Sequence, residues 1–480
     1  MSTPRILKDD IDEKVEIKSL NTNAEEEKLL RKFDIRIMPL LMLLMCLCFL
    51  DRINIGNAKL AHLEQDLNLT ENEFQWALSI FFFGYIVFEI PSNIILIKIR
   101  PSIWLSLLTL GWGIVMIIMS FITNYSHLLV TRFLLGMFES GLYPGIIFYI
   151  TKWYKRKEQS FRISLVISAL AISGAFGGLL AFSITSLNGR FGLNGWRWIF
   201  MIDGMATVFV ALCCFFLISD SPQKASWLTD NERKLAIDRL QHDAGDAYAT
   251  HFDKSQIIKA FMDWKIYIGA LINMAVLTPT YAFSVFIPSI VNGLGFNTVN
   301  SQLLATPPFI LGCFVSIAIS IISDRYGRCL YLILCMLITI VGYALLIVHS
   351  NGIALKFLGA CFVGAGLFSS LPITSAWLTN NLAGDSKRAV GCAIFISLSS
   401  IGGATFSLIY RSQDAPAYIF GHTISLSILI FAVVLSILQY SLLNFINKRK
   451  LKNPDKFLEG KNEEEIMNLG DMHPSFIYRL

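Results

Sequence analysis

Ionisable residues stand inside long apolar stretches of this chain: Asp51 and Arg52 in FLDRINIGNAKL, Glu89 in FEIPSN, Arg132 and Glu139 in RFLLGMFESGLYPG, and Asp203 in WIFMIDG. A carboxyl group in a low-dielectric cavity can exchange a proton near physiological pH, which makes Asp51 and Glu139 candidates for proton carriage. A guanidinium stays charged, and its flat fork matches a carboxylate. Arg52 and Arg132 are therefore candidates for holding an anion, with Asn54 close by in sequence. Each arginine can also pair with a carboxylate when no anion is present, so proton and anion would compete for the same pairs. The plainer alternative is a set of fixed ion pairs that hold helices together. For Glu89 and Asp203 that alternative is preferred, with Arg197 the expected partner of Asp203 and gating a second role for Glu89.

These charges need elements to position them. Of the 480 residues, 54% are apolar and 16% are charged, and Phe alone contributes 36. An average soluble domain is about 25% charged. The composition fits a polytopic all-α membrane protein, whose spans each need roughly 20 apolar residues. Twelve such stretches can be placed, at about 35–57, 74–97, 102–122, 128–150, 162–187, 197–218, 264–290, 302–322, 329–349, 353–378, 389–410 and 418–446. A charge at the centre of a lipid-facing helix costs about 2.5–3.5 kcal/mol. The charges listed above must therefore face the bundle interior. Arg132 and Glu139, seven residues apart, would share a helix face about 10 Å apart along the axis.

The expected organisation is a tail (1–34), six spans (35–218), a polar linker (219–263), six further spans (264–446) and a second tail (447–480). Both tails are expected in the cytosol. That arrangement puts Lys98, Arg100, Lys152, Lys155, Arg156, Lys157, Arg162, Arg325, Arg328, Lys387 and Arg388 in short inner loops, against fewer cations outside. In the linker, TDNE (229–232) has the pattern of a capping box that opens a solvated helix. GAFGGLLA (174–181) allows close helix contact, and Trp377 reads as an interfacial anchor. The nine cysteines lie almost all in apolar stretches and read as small core residues.

The net charge of +5 gives no support to nucleic-acid binding. There is no GxxxxGK[ST], HExxH or GxSxG, so neither nucleotide-driven pumping nor hydrolytic chemistry is readable. No cofactor is expected beyond a proton gradient as energy source. Six plus six spans facing each other across a central site is a transporter plan.

The segments DRINIGNA (51–58), FFFGYIVFEIPSNIIL (81–96), RFLLGMFESGLYPGIIFYITKWY (132–154), GWRWIFMIDG (195–204), SDRYGR (323–328) and WLTNNLAGDSKRAVG (377–391) carry a resemblance. The chain resembles the major facilitator superfamily, more closely its anion:cation symporter branch and, within that, the fungal allantoate permease group. That resemblance implies proton-coupled uptake of a small organic anion, with the nicotinate-type carriers most similar. Allantoate, pantothenate, biotin and sulfur-containing acids are the alternatives. It places the acid–arginine motif at Asp51 and Arg52 and the fourth-span pair at Arg132 and Glu139. It also implies a gating latch at Asp324, Arg325, Gly327 and Arg328. The corresponding loop of the first half reads SNIILIKIRP and lacks the latch pattern. A monomer in the plasma membrane is expected. Efflux is disfavoured because Ala175 follows Gly174 where proton antiporters of the superfamily usually carry Gly-Pro. A nutrient sensor with little transport is the remaining reading of another class.

Overall fold

The computed structural model describes residues 5–480 apart from 186, 245–253, 349–351, 384, 412–413, 416, 455–457, 461–469 and 475. Among the described residues the chain is built from helices and their connections, with no strand. The helices are α1 (Arg5–Leu60), α2 (Leu63–Asp66), α3 (Glu71–Lys98), α4 (Pro101–Met119), α5 (Tyr125–Glu139), α6 (Leu142–Thr151), α7 (Arg156–Thr185) and α8 (Gly195–Leu217). After them come α9 (Asp230–Ala244), α10 (Lys254–Phe261), α11 (Trp264–Gly293), α12 (Thr298–Leu304), α13 (Thr306–Tyr326), α14 (Arg328–Ile347), α15 (Ile353–Asn380), α16 (Asp385–Thr405) and α17 (Ile419–Lys452). Among the described residues ten helical stretches are long and apolar enough to cross a membrane: α1 from Glu25, α4, α5 with α6, α7, α8, α11, α12 with α13, α14, α15 and α17. Helices α3 and α16 fall at the other two stretches expected from sequence.

Local chemistry explains the breaks. α3 opens on a capping box, with the Thr70 amide donating to Glu73 at 2.8 Å and the Glu73 amide to the Thr70 hydroxyl at 3.4 Å. The fourth stretch divides after Glu139, where Pro144 in the first turn of α6 lacks the N–H that would bond back to Ser140. α11 runs unbroken past Pro279 and Pro288, and the hydroxyls of Thr280 and Ser284 cap carbonyls one turn earlier at 2.7 Å.

Two groups of helices pack on one another. In the first, α1 packs on α7, α3 on α5, and α4 on α8; in the second, α14 packs on α15, α13 on α15, and α11 on α16. Contacts of α1 with α11, α3 with α16, and α7 with α13 join the groups. Arg52 meets Tyr281, and further along both helices Lys59 lies over Phe286, so α1 and α11 run parallel. They approach main chain to main chain, because a Cβ on Gly56 would collide with the carbonyl of Val285. Likewise a Cβ on Gly178 of α7 would lie 2.6 Å from the carbonyl of Gln302, which is the close contact expected of the glycine-rich stretch.

The first expected tail is not separate from the bundle, since α1 begins at Arg5 and continues without interruption into the apolar stretch. Ion pairs with segments far away in sequence hold its polar part: Lys32 with Glu232 at 2.7 Å, Glu26 with Lys155 at 2.7 Å, and Asp34 with Arg162 at 2.6 Å. The linker forms the expected capping box, with the Thr229 amide donating to Glu232 at 2.8 Å. Its helix α9 is less solvated than expected. Arg239 is 2% exposed and donates to Glu158 on α7, so one face of α9 is docked. Trp227 stacks on Trp153 with ring centroids 5.6 Å apart, which fixes the linker against the end of the fourth stretch. All nine cysteines are free.

Candidate functional site

Successive residues on an α-helix point about 100° apart. Asp51 and Arg52 are neighbours in sequence and therefore leave α1 in different directions. They do not pair with each other. Cys48 and Arg52 share one face, and Asp51, Asn54 and Asn57 share another.

The first face meets α3, α5 and α11. Arg52 Nε donates to Glu139 Oε2 at 2.5 Å, and Nη1 donates to the Tyr281 hydroxyl at 2.7 Å. Cys48 sits between the charges, with its sulfur 3.1 Å from Arg52 Nη2 and 3.2 Å from Glu139 Oε2. The guanidinium lies 4.9 Å from the Tyr85 ring centre and 5.2 Å from that of Phe81. The side chain of Glu139 is fully buried and that of Arg52 is 8% exposed. One end of this ion pair thus reaches across to the second group of helices.

The second face meets α8 and α7. Asn54 donates to Asp203 at 2.5 Å, and Asn57 donates to Asn54 at 3.3 Å and to the Gly177 carbonyl at 3.5 Å. The carboxyl of Asp51 is fully buried, neither of its oxygens has a hydrogen-bond partner among the described residues, and Asp203 stands within electrostatic range of it. Asp203 does not pair with Arg197 as expected. Arg197 instead donates to the Ser120 carbonyl at 2.9 Å and lies over Trp196, because its side chain leaves α8 on the outer side.

Arg132 is 2% exposed and lies within electrostatic range of Glu139 and Asp51. Its Nε and Nη2 have no hydrogen-bond partner. Buried N–H donors without a partner are uncommon in folded proteins. Glu89 is fully buried and accepts from Ser397 of α16 at 2.9 Å, a second polar bond between the two groups of helices. Of the expected latch, Arg328 is buried and its amide donates to the Leu480 carbonyl at 3.0 Å. Gly327 adopts φ 107°, a conformation that suits glycine. The side chains of Asp324 and Arg325 lie outside the described residues.

Aromatic rings cover the Arg52–Glu139 pair, and the Arg52 side chain is 8% exposed. Tyr281 packs on Phe49, Phe82 and Phe406, with ring centres 5.0–6.1 Å apart, and closes over Arg52. Sequence reasoning missed Tyr281, Cys48 and Ser397. Cys48 was findable, since it is one turn from Arg52; Tyr281 and Ser397 are polar groups in apolar stretches of the other group of helices. Among the described residues no cluster of His, Cys, Asp or Glu is arranged to hold a metal.

The Major Facilitator Superfamily family model matches residues 41–407, which include every buried charge described above. The chain belongs to the Major Facilitator Superfamily. Its relatives in this superfamily include the MFS-type transporter cnsO of Penicillium expansum, 33% identical over 97% of this chain and 92% of that protein. The major facilitator-type transporter hxnP of Emericella nidulans is 28% identical over 96% of this chain and 94% of that protein. Among solved structures, a D-xylose-proton symporter superposes with a TM-score of 0.66 at 14% identity, covering 85% of this chain and 97% of its own. A bacterial homologue of the human lysosomal transporter Spinster, in an inward-facing and unoccupied conformation, gives the same TM-score at 16% identity, with the same coverage. The chain is thus a membrane transporter with the all-helical major facilitator fold.

Proposed function

We propose that this transporter takes up a small organic anion together with protons, in the manner of the anion:cation symporter branch and its allantoate permease group, with nicotinate as the first candidate. The observation that carries this is the buried Arg132, whose unfilled N–H donors stand within electrostatic range of Asp51 and Glu139. An anionic carboxylate satisfies those donors; protonation of the nearby acids removes the charge that competes with it. Arg52 is the second anion-binding group, released from Glu139 when the acid is protonated. Asn54 joins the binding set when its amide leaves Asp203. Asp51 and Glu139 carry the protons.

In this reading the helices form twelve spans in two six-helix halves, 35–218 and 264–446, joined by the linker 219–263, with residues 1–34 and 447–480 in the cytosol. The protein works as a monomer in the plasma membrane. Glu89 and the signature at Asp324, Arg325, Gly327 and Arg328 gate the cytosolic side.

Cells that lack their own carrier and express this chain test the proposal through uptake of labelled nicotinate at acidic and neutral outside pH. Uptake that rises with acidity and collapses with a protonophore supports substrate and coupling together. Absence of uptake with the protein at the cell surface removes nicotinate. A competition panel of allantoate, pantothenate and biotin then follows.

A further inference from the structure

Residues 470–474 and 476–480 lie apart from the central site, and the chain has built a receptor for them. Asp471 is 1% exposed. Its carboxylate accepts from Lys265, from Lys387 at 2.6 Å and from the Tyr478 hydroxyl at 3.0 Å. Lys450 donates to the Asp471 carbonyl at 2.6 Å and the Phe476 carbonyl at 2.8 Å. Asn447 and Tyr478 exchange a reciprocal pair of bonds at 2.8 and 2.9 Å. Asn381 does the same with the backbone of Arg479, at 2.9 and 2.8 Å, and Trp377 adds a third bond to the Arg479 carbonyl at 3.0 Å. These side chains come from the ends of α11, α15, α16 and α17.

The charge balance depends on the segment being present. With it docked, Lys265 and Lys387 pair with Asp263 and Asp471, and Lys450 donates to carbonyls of the segment; without it, Asp263 is the one paired carboxylate left to them among the described residues. Burial of unpaired ammonium groups is costly, so the pocket needs an anion. The segment also reaches the signature loop, because the Arg328 amide donates to the Leu480 carbonyl and a Cβ on Gly327 would lie 3.3 Å from that oxygen.

We infer that the pocket of Lys265, Lys387, Lys450, Asn447, Asn381 and Trp377 is a binding site for a peptide that presents a carboxylate, occupied in cis by residues 470–480 through Asp471, and that docking of this segment holds the α13–α14 junction at Gly327 and Arg328 in place. The role of the loop as a gate rests on the transport reading above; the docking itself does not.

Hydrogen exchange on the full chain in lipid nanodiscs tests both parts without any substrate. The amides of Tyr478, Arg479 and Arg328 donate to Asn447, Asn381 and Leu480 respectively. In Asp471→Asn all three are expected to exchange at least tenfold faster than in the parent. Unchanged rates at Tyr478 and Arg479 overturn the site, and an unchanged rate at Arg328 while the others rise overturns the hold on the loop. A second arm uses the chain truncated before Gly470 and a fluorescent peptide of residues 470–480. The peptide is expected to bind the truncated chain, to bind the full chain at least tenfold more weakly, and to lose at least tenfold when it carries Asp471→Asn. Equal binding to both chains, or by both peptides, overturns occupancy in cis. An uptake assay that fails for nicotinate leaves these outcomes untouched.

Discussion

Arg52 of α1 and Tyr281 of α11 are joined by a 2.7 Å hydrogen bond between residues 229 positions apart. The same guanidinium pairs with Glu139, so a charge that belongs to one group of helices is shared with the other. Tyr281→Phe removes the cross-group bond and leaves Arg52 Nη1 without it. A buried donor left unfilled costs about 1–3 kcal/mol. A lowered melting temperature of the purified protein is expected, together with greater accessibility of Cys48 to a small maleimide. An unchanged melt would show that water replaces the hydroxyl.

Asp51→Asn and Glu139→Gln should separate two kinds of carboxyl. Glu139→Gln strips a buried arginine of its counter-charge, a loss of about 3–5 kcal/mol when one partner of a buried pair is removed. Asp51→Asn removes a buried carboxyl that makes no hydrogen bond and is expected to leave the melt near that of the parent. Both variants should lose proton-driven accumulation. Accumulation by Asp51→Asn equal to the parent across pH would take the proton role away from Asp51.

Arg132→Lys keeps the charge but loses the fork. The apparent affinity for the transported anion is expected to fall tenfold or more, because an ammonium does not reproduce bidentate pairing. An unchanged KM in uptake assays would place the anion elsewhere.

Docking of residues 470–480 should depend on pH. Burial pushes the Asp471 carboxyl up, but Lys265 and Lys387 outweigh it and hold the group below the usual carboxylate range. A group depressed in the docked state contributes docking stability that is complete above its free value of about 3.9, and that contribution fades as pH falls through the depressed value. The segment is expected to stay docked at neutral pH and to loosen in acid, followed as exchange at the Tyr478 amide corrected for intrinsic rate. In Asp471→Asn that acid dependence should vanish.

The sequence revealed the helices because lipid demands long apolar stretches, and α4, α8 and α14 supply them without interruption. It revealed the candidate charges because each stands out in such a stretch. Their partners were hidden, since pairing joins residues far apart in the chain. Arg197 was a reasonable local partner for Asp203, yet Asn54, 149 positions away, takes that carboxylate. The polar start of α1 looked like a separate tail because Glu232, which pairs with Lys32, is 200 positions distant. The aromatics packed on Tyr281 likewise come from α1, α3 and the turn after α16, which periodicity cannot bring together.

The contact at Gly56 gives the bundle a fulcrum. Main chain rests on main chain there, with no side chain to cushion it, so α1 and α11 cannot be pressed closer at this point. Tyr281 is four residues from Val285, a lever arm of about 6 Å along α11. A tilt of about 10° about the fulcrum therefore shifts the Tyr281 end by about 1 Å, enough to break a hydrogen bond of ordinary length. A longer arm would break that bond at a smaller tilt; this short one lets it survive small rocking.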